Sequence, residues 1–265
     1  MRAIVLAAGR GTRLRASDPA SLPTPAQRQA AARGLKVLMP IGDDERPLLD
    51  FVLRRLAAAG CTAVTLVVPP DHAPIDACLA AGTPPLPVTL AVQASPTGTA
   101  GAVAAAAALV EEEAFLVVNG DNLYPVEALR AMLALPEGGL AAFSRRSLEQ
   151  TSGFPPERVA AFATVTADAD GWLTGLHEKP PVTHLTPDAR ISMNLWRFDR
   201  RVFEACRDVA LSLRGERELP AAVLLAVSRG MRMRVVPVEG QVLDLTTAAD
   251  VAAVSRALAA TGALP

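Results

Sequence analysis

The sequence predicts an α/β fold: a doubly wound, mostly parallel sheet with a small antiparallel annex. Three observations predict it. Short apolar runs of strand length alternate with helix-length segments through roughly the first half of the 265 residues, as in parallel strands joined by crossover helices. The second half loses that alternation, and two runs flank Asp168-Ala-Asp-Gly171 as the arms of a hairpin. No repeat or linker composition interrupts the chain, so residues 1–265 read as a single domain.

The first apolar run, residues 3–8, is a buried strand that breaks into Gly9-Arg10-Gly11-Thr12-Arg13. Two glycines let the backbone turn sharply and offer N–H groups to an anion, and Arg10 and Arg13 can add charge-assisted bonds to phosphate. The same loop also fits plain turn geometry. It lacks the third glycine and the helix directly behind it that a dinucleotide site needs, and it has no Gly-Lys-Ser/Thr of a P-loop.

Residues 17–34, rich in Pro, Ala and Gln, read as a proline-broken loop and then two helical turns from Pro25 to Arg33. A turn at Gly42-Asp43-Asp44 follows residues 35–41. Leu49, Val52, Leu53 and Leu56 share one helical face, and Gly60 stops that helix. Residues 64–68 form the second strand, 74–81 a short helix and 88–92 the third strand, which runs into the glycine-bearing stretch 93–101. The alanine-rich helix is placed at 103–110 and the fourth strand at 115–118, before Asn119-Gly120-Asp121-Asn122. Beyond it, strands are expected at 141–144, 160–166, 172–177, 190–198 and 231–236. Helices are expected at 202–206, 220–228 and 247–260, the last with Thr246 or Thr247 near its N-cap.

Composition narrows the function. A net charge of −1 gives no global field for nucleic acid or an anionic membrane, so any phosphate binding is local. Aromatic residues make up only 4%, which argues against a stacking platform for single strands. No stretch reaches the roughly 18–20 apolar residues of a membrane span, and the N-terminal run is too short for a signal peptide. Cys61, Cys78 and Cys206 are scattered with no CxxC pair, which argues against a structural zinc or a disulfide framework and fits a reducing cytoplasm.

Ligands of open α/β sheets bind at the carboxyl ends of strands. Three such ends, at 9–13, 93–98 and 119–122, should share one edge. Asp121 is either a metal ligand or a turn residue. Asp244, set among Val242, Leu243 and Leu245, needs a partner or a cation. Two aspartates from distant strands could hold one Mg²⁺. Glu178-Lys179 is either a solvated pair or a hydroxyl-binding and phosphate-binding pair. Lys36 either points inward or snorkels. His72, His177 and His184 need no role.

Taken in order, Leu6-Ala-Ala-Gly-Arg-Gly-Thr-Arg-Leu14, Lys36-Val-Leu-Met-Pro-Ile41, Gly98-Thr-Ala, Asn119-Gly-Asp121, Glu178-Lys-Pro180 and Asp244 with Thr247 and Asp250 resemble the sugar-1-phosphate nucleotidyltransferases (nucleoside-diphosphate-sugar pyrophosphorylases). The match runs from Met1 to about Asp250. The resemblance implies a Rossmann-like sheet and the reaction of an NTP with a sugar 1-phosphate to give an NDP-sugar and pyrophosphate. It implies that Leu6, Ala8, Gly9, Gly11 and Thr12 hold the nucleotide, with Arg13 and Lys36 on its phosphates, and that Gln93, Gly98 and Thr99 contact it at the base. Asp121 and Asp244 would hold Mg²⁺, Glu178, Asn122 and Asn194 would meet the sugar, and Lys179 its phosphate. A glutamine at Gln93 suits uracil or thymine and also guanine, so UTP or dTTP comes first, GTP next and CTP lower.

The chain departs from the family pattern in several places. Leu35 replaces a proline before the lysine, Asn194 stands where a glycine is usual, which puts glucose in doubt, and Phe162-Ala163 replaces Tyr-Gly. Leu243 and Thr246 replace a frequent Trp and Gly. The path from Leu14 to Lys36 is long, so residues 17–34 read as an insertion serving as a lid or partner surface. Competing functions are a glycosyltransferase using Asp168-Ala-Asp170, a nucleotide-sensing subunit without turnover, and the same chemistry on a cyclitol phosphate. No hexapeptide repeat signals a fused acyltransferase, and a homo-oligomer stays open.

Overall fold

The computed structural model describes residues 1–178, 180–181 and 185–260. Its first half runs β1 (Arg2–Leu6), α1 (Thr12–Arg15), α2 (Pro25–Arg33), β2 (Pro40–Ile41), β3 (Arg46–Pro47), α3 (Leu48–Ala59), β4 (Ala63–Val68), α4 (Ala73–Ala81), β5 (Val88–Val92), α5 (Thr99–Ala105), β6 (Ala114–Asn119) and β7 (Asn122–Leu123). The second runs α6 (Val126–Leu133), β8 (Gly138–Ser144), α7 (Arg145–Gln150), α8 (Pro156–Val159), β9 (Ala163–Ala167), β10 (Leu173–His177), β11 (Arg190–Asp199), α9 (Arg201–Asp208), α10 (Leu219–Ser228), β12 (Met233–Val238), β13 (Leu243–Asp244) and α11 (Ala248–Ala260).

Ala3, Ile4 and Val5 of β1 are fully buried, as an apolar run covered on both faces must be. β1 pairs in parallel with β4 and β6, and β4 with β5, giving the order β5-β4-β1-β6. β11 joins β6 antiparallel and carries β8 and β9; β12 then lies parallel to β8, and β10 closes a hairpin on β9. β10 and β11 therefore run against the other seven strands of the sheet. Ala3 and Val5 face the layer of α3, α6 and α11, while Ile4 faces α5, α9 and α10. Strand alternation thus divides the core into two halves. Outside the main sheet, β13 pairs with β7 so that Asp244 lies opposite Asn122.

Several elements differ from expectation. A short helix, α1, opens directly behind Gly11, where the sequence offered none, and buries Leu14. α5 starts at Thr99, because Gly98 with φ +97° ends the loop, and gives way to a 3-10 turn by Ala107. β8 includes Gly138 and Gly139, since a Cβ on Gly139 would stand 2.7 Å from Arg234 O of β12. The run expected as a strand from residue 160 is irregular until Ala163. α6, α7 and α8 were not expected at all. The 17–34 segment packs against the body, with Leu22, Ala30 and Ala31 buried. No helix among the described residues is long and apolar enough to cross a membrane.

Candidate active site

The carboxyl ends of β1, β5 and β6 share one edge of the sheet and border a cavity of about 570 Å³. The loop after β1 forms its floor. A Cβ on Gly9 would meet nothing within 4 Å, so this residue opens backbone toward the cavity. Gly11 serves packing instead: at φ +58°, its Cβ would stand 2.3 Å from Gly34 O. Leu6, Ala8 and Thr12 line the same wall.

On the β5 side, the Gln93 amide nitrogen donates to Gly98 O at 3.0 Å. Gly98 needs its lack of a side chain, since a Cβ would stand 2.5 Å from Arg217 O. Thr99 lines the cavity, but its hydroxyl accepts the Leu219 N–H at 2.9 Å.

On the β6 side, Gly120 presses against β1, its N–H donating to Leu6 O at 2.9 Å. Asp121 follows, and its Oδ2 accepts from Lys36 Nζ at 2.7 Å. Lys36 points inward, as one of its two readings held. With its amide oriented so that the nitrogen faces the two carboxylates, Asn122 donates to Asp121 Oδ1 at 3.1 Å and to Asp244 Oδ1 at 3.0 Å and bridges both. Asn122 is buried, and in this orientation its side chain orders the two carboxylates, where its expected place was on the sugar. Asp244 Oδ2 accepts from Arg158 at 2.6 Å and from the Thr246 hydroxyl at 2.9 Å. Arg158 also binds Asp250 Oδ1 at 2.5 Å and lies over the Phe154 ring.

These two carboxylates beside Arg158 titrate in opposite senses. Burial first, then the charge of Asp121, pushes the Asp244 carboxyl up, against the pull of Arg158. Burial would also raise Asp250, but hydrogen bonds from Arg158 and the Thr247 N–H outweigh it and hold the carboxyl low. A depressed carboxyl stabilises the fold above its unfolded value of about 3.9, and that contribution disappears as pH falls through the folded value. The raised Asp244 behaves inversely, its burden at neutral pH lifting on acidification. The melting-temperature gap between wild type and Asp250→Asn should therefore be wide at pH 7 and narrow progressively as pH falls below about 4; a gap that is flat with pH would contradict it.

A family model described as "Nucleotidyl transferase" matches residues 2–260. The chain belongs to the nucleotidyl transferase family. The glucose-1-phosphate thymidylyltransferase of Streptomyces antibioticus is 29% identical to it over 257 residues, covering 97% of this chain and 65% of that one. That of Mycolicibacterium smegmatis is 28% identical, covering 87% and 72%. The chain thus spans just under two thirds of the Streptomyces protein. A solved structure of UDP-glucose pyrophosphorylase complexed with UDP-glucose superposes with a TM-score of 0.74 at 16% identity, covering 98% of this chain and 99% of that one. The apo form of UDP-glucose pyrophosphorylase gives 0.75 at 16%, covering 98% of each. These superpositions show the shared α/β fold.

Other expected site residues lie outside the lining of the cavity. Arg13 is exposed on α1, and Arg10 lines the cavity in its place. Glu178 is exposed at the end of β10, and its charge reaches Arg214, which is ion-paired to Glu218. Asn194 has φ +59° at a bulge of β11, where its carbonyl and that of Met193 accept from the buried Tyr124 hydroxyl. Lys179 lies outside the described residues. Sequence reasoning missed Arg158 and the cavity-lining Arg214, Gly215 and Glu216. The charged, glycine-centred string Arg214-Gly215-Glu216 was a usable signal; nothing local marks Arg158.

Proposed function

We propose that this chain transfers a nucleotidyl group from an NTP to a sugar 1-phosphate and releases pyrophosphate. One observation carries the reading: a single cavity has the Gln93 amide on one wall and the Lys36–Asp121 pair, backed by Asp244, on another, with the glycine-opened loop as its floor. The nucleophile is a phosphate oxygen that is already anionic, so no general base is needed for its in-line attack on the α-phosphorus. The task is to bring two polyanions together and offset their charge, which Lys36, Arg10, Arg214 and loop N–H groups are suited to do. The sequence adds Lys179 for the sugar phosphate and Glu178 for its hydroxyls.

Asp121 and Asp244 present hard oxygens, joined through the Asn122 amide, and a carboxylate oxygen keeps acceptor capacity beyond one hydrogen bond. That donor set fits Mg²⁺, which takes one or two carboxylates and completes its shell with phosphates and water. Bound there, the ion would neutralise charge on the phosphates.

The Gln93 nitrogen is engaged by Gly98 O, which leaves Oε1 to accept from the base. Uracil and thymine offer N3–H and guanine N1–H, whereas cytosine and adenine carry no hydrogen at the matching ring nitrogen. UTP or dTTP is therefore favoured, with GTP next, and the thymidylyltransferase relatives support the pyrimidine. If Asn194 faces the sugar, as the resemblance implies, an amide standing where a glycine is usual favours a cyclitol or a sugar other than glucose. A cytoplasmic setting is supported by three free thiols.

The test is pyrophosphate release with Mg²⁺ from UTP, dTTP, GTP, CTP and ATP against a pool of sugar and cyclitol 1-phosphates, with products identified by mass. One dominant pyrimidine product is expected. Nucleotide binding without turnover would favour the sensing role, and neither binding nor turnover would remove the reading.

A further inference from the structure

We infer that the 17–34 segment is a built-in positioning device for the nucleotide loop, and that it acts through a backbone-to-backbone contact at Gly34. The inference rests on the NTP reading of the cavity for its catalytic consequence, though not for its structural one.

The segment is anchored firmly at a distance from the loop. The Thr24 hydroxyl accepts the Gln27 N–H at 3.2 Å and the Gln27 side chain accepts the Thr24 N–H at 3.4 Å, closing a capping box on α2. The buried Gln27 amide then donates to Pro40 O at 3.0 Å, tying α2 to β2. Leu22, Ala30 and Ala31 pack into the core with Leu14.

From this anchorage the segment touches the loop at two points. α2 ends on Gly34 in the left-handed region at φ +71°, and a Cβ there would stand 2.4 Å from Arg10 O. The reciprocal Cβ on Gly11 would stand 2.3 Å from Gly34 O. Both contacts are to backbone, so no rotamer change can relieve them. Gly34 O also accepts the N–H of Lys36, whose ammonium holds Asp121. At the other point, the Ser17 hydroxyl donates to Arg13 O at 2.9 Å and accepts the Ala248 N–H at 3.1 Å, linking α1 to the start of α11.

A loop with two glycines is intrinsically mobile, and mobile N–H groups make a poor phosphate cradle. Clamping it at Gly11 and Arg13, with Lys36 hung from the same carbonyl, sets the cradle before the nucleotide arrives. Gly34 and Ser17 are positioning residues; neither touches substrate.

The test compares Gly34→Ala with Gly60→Ala. Gly60 also ends a helix in the left-handed region, at φ +107°, but its Cβ would meet nothing within 4 Å. The two variants share the backbone strain of an alanine at positive φ and differ in the loop contact. Thermal melting, amide hydrogen exchange of residues 9–13, and Kd and KM for the NTP and the sugar phosphate are measured on both. Expected are a loss of Tm in both variants, larger in Gly34→Ala because of its backbone clash, faster 9–13 exchange in Gly34→Ala alone, and a rise of about tenfold in its NTP Kd and KM with the sugar-phosphate KM held within about twofold. Unchanged loop exchange in Gly34→Ala, or equal weakening of both substrates, overturns the inference. Should Gly34→Ala not fold, Ser17→Ala must show faster exchange at the Arg13 end, or the inference falls. A wild type that binds no NTP would sink the nucleotidyl-transfer reading, while the exchange data would still decide whether Gly34 clamps the loop.

Discussion

Replacing Asp121 with asparagine is expected to lower kcat/KM about a thousandfold while leaving the fold intact. A thousandfold is about 4 kcal/mol of barrier, the scale expected when charge neutralisation at a reacting phosphate is lost. Asparagine keeps the shape of the side chain and removes only its charge. The loss of the Lys36 pair at 2.7 Å is offset by relief of the repulsion that helps push the Asp244 carboxyl up. Melting temperature should therefore change little while pyrophosphate release collapses, and Mn²⁺ binding followed by electron paramagnetic resonance should weaken in step. Turnover at wild-type rates would remove Asp121 from the mechanism.

The second large effect is structural. Arg158→Ala would leave Asp244, 7% exposed, and the partly buried Asp250 without their shared cation. Removing one partner of a buried ion pair costs roughly 3–5 kcal/mol, and the guanidinium here serves two carboxylates. At about 2–4 °C per kcal/mol, the melting temperature should fall on the order of 10 °C. Arg158→Lys should recover only part of this, because an ammonium cannot fork across Asp244 and Asp250 as the guanidinium does. Wild-type melting in Arg158→Ala would show that the cluster contributes nothing to the fold.

The contrast between Asp121 and Arg158 also shows which features a sequence carries openly. The loop after β1 and the three converging strand ends were legible because buried parallel strands leave apolar runs, punctuated by glycine where the chain must turn. α2 was legible to the residue, bounded by Pro25 and Gly34. Arg158 was not, because α8 has only four residues and leaves no periodicity. Asn122 looked like turn composition near a ligand; its burial follows from the β7–β13 pairing, which joins segments more than a hundred residues apart. Lys36 could not be oriented by strand alternation, because residues 36–38 form a 3-10 turn.

The central place of β1 has a consequence for the newborn chain. β1 leaves the ribosome before either of its partners, which are residues 63–67 on one side and 115–119 on the other. At 5–20 residues per second, β1 waits on the order of ten seconds before β6 emerges to cover its second edge. During that interval the apolar side chains of β1, buried in the fold, stay open to water and to other chains. Slowing translation between β4 and β6 should lower the soluble yield more than the same delay placed after β12.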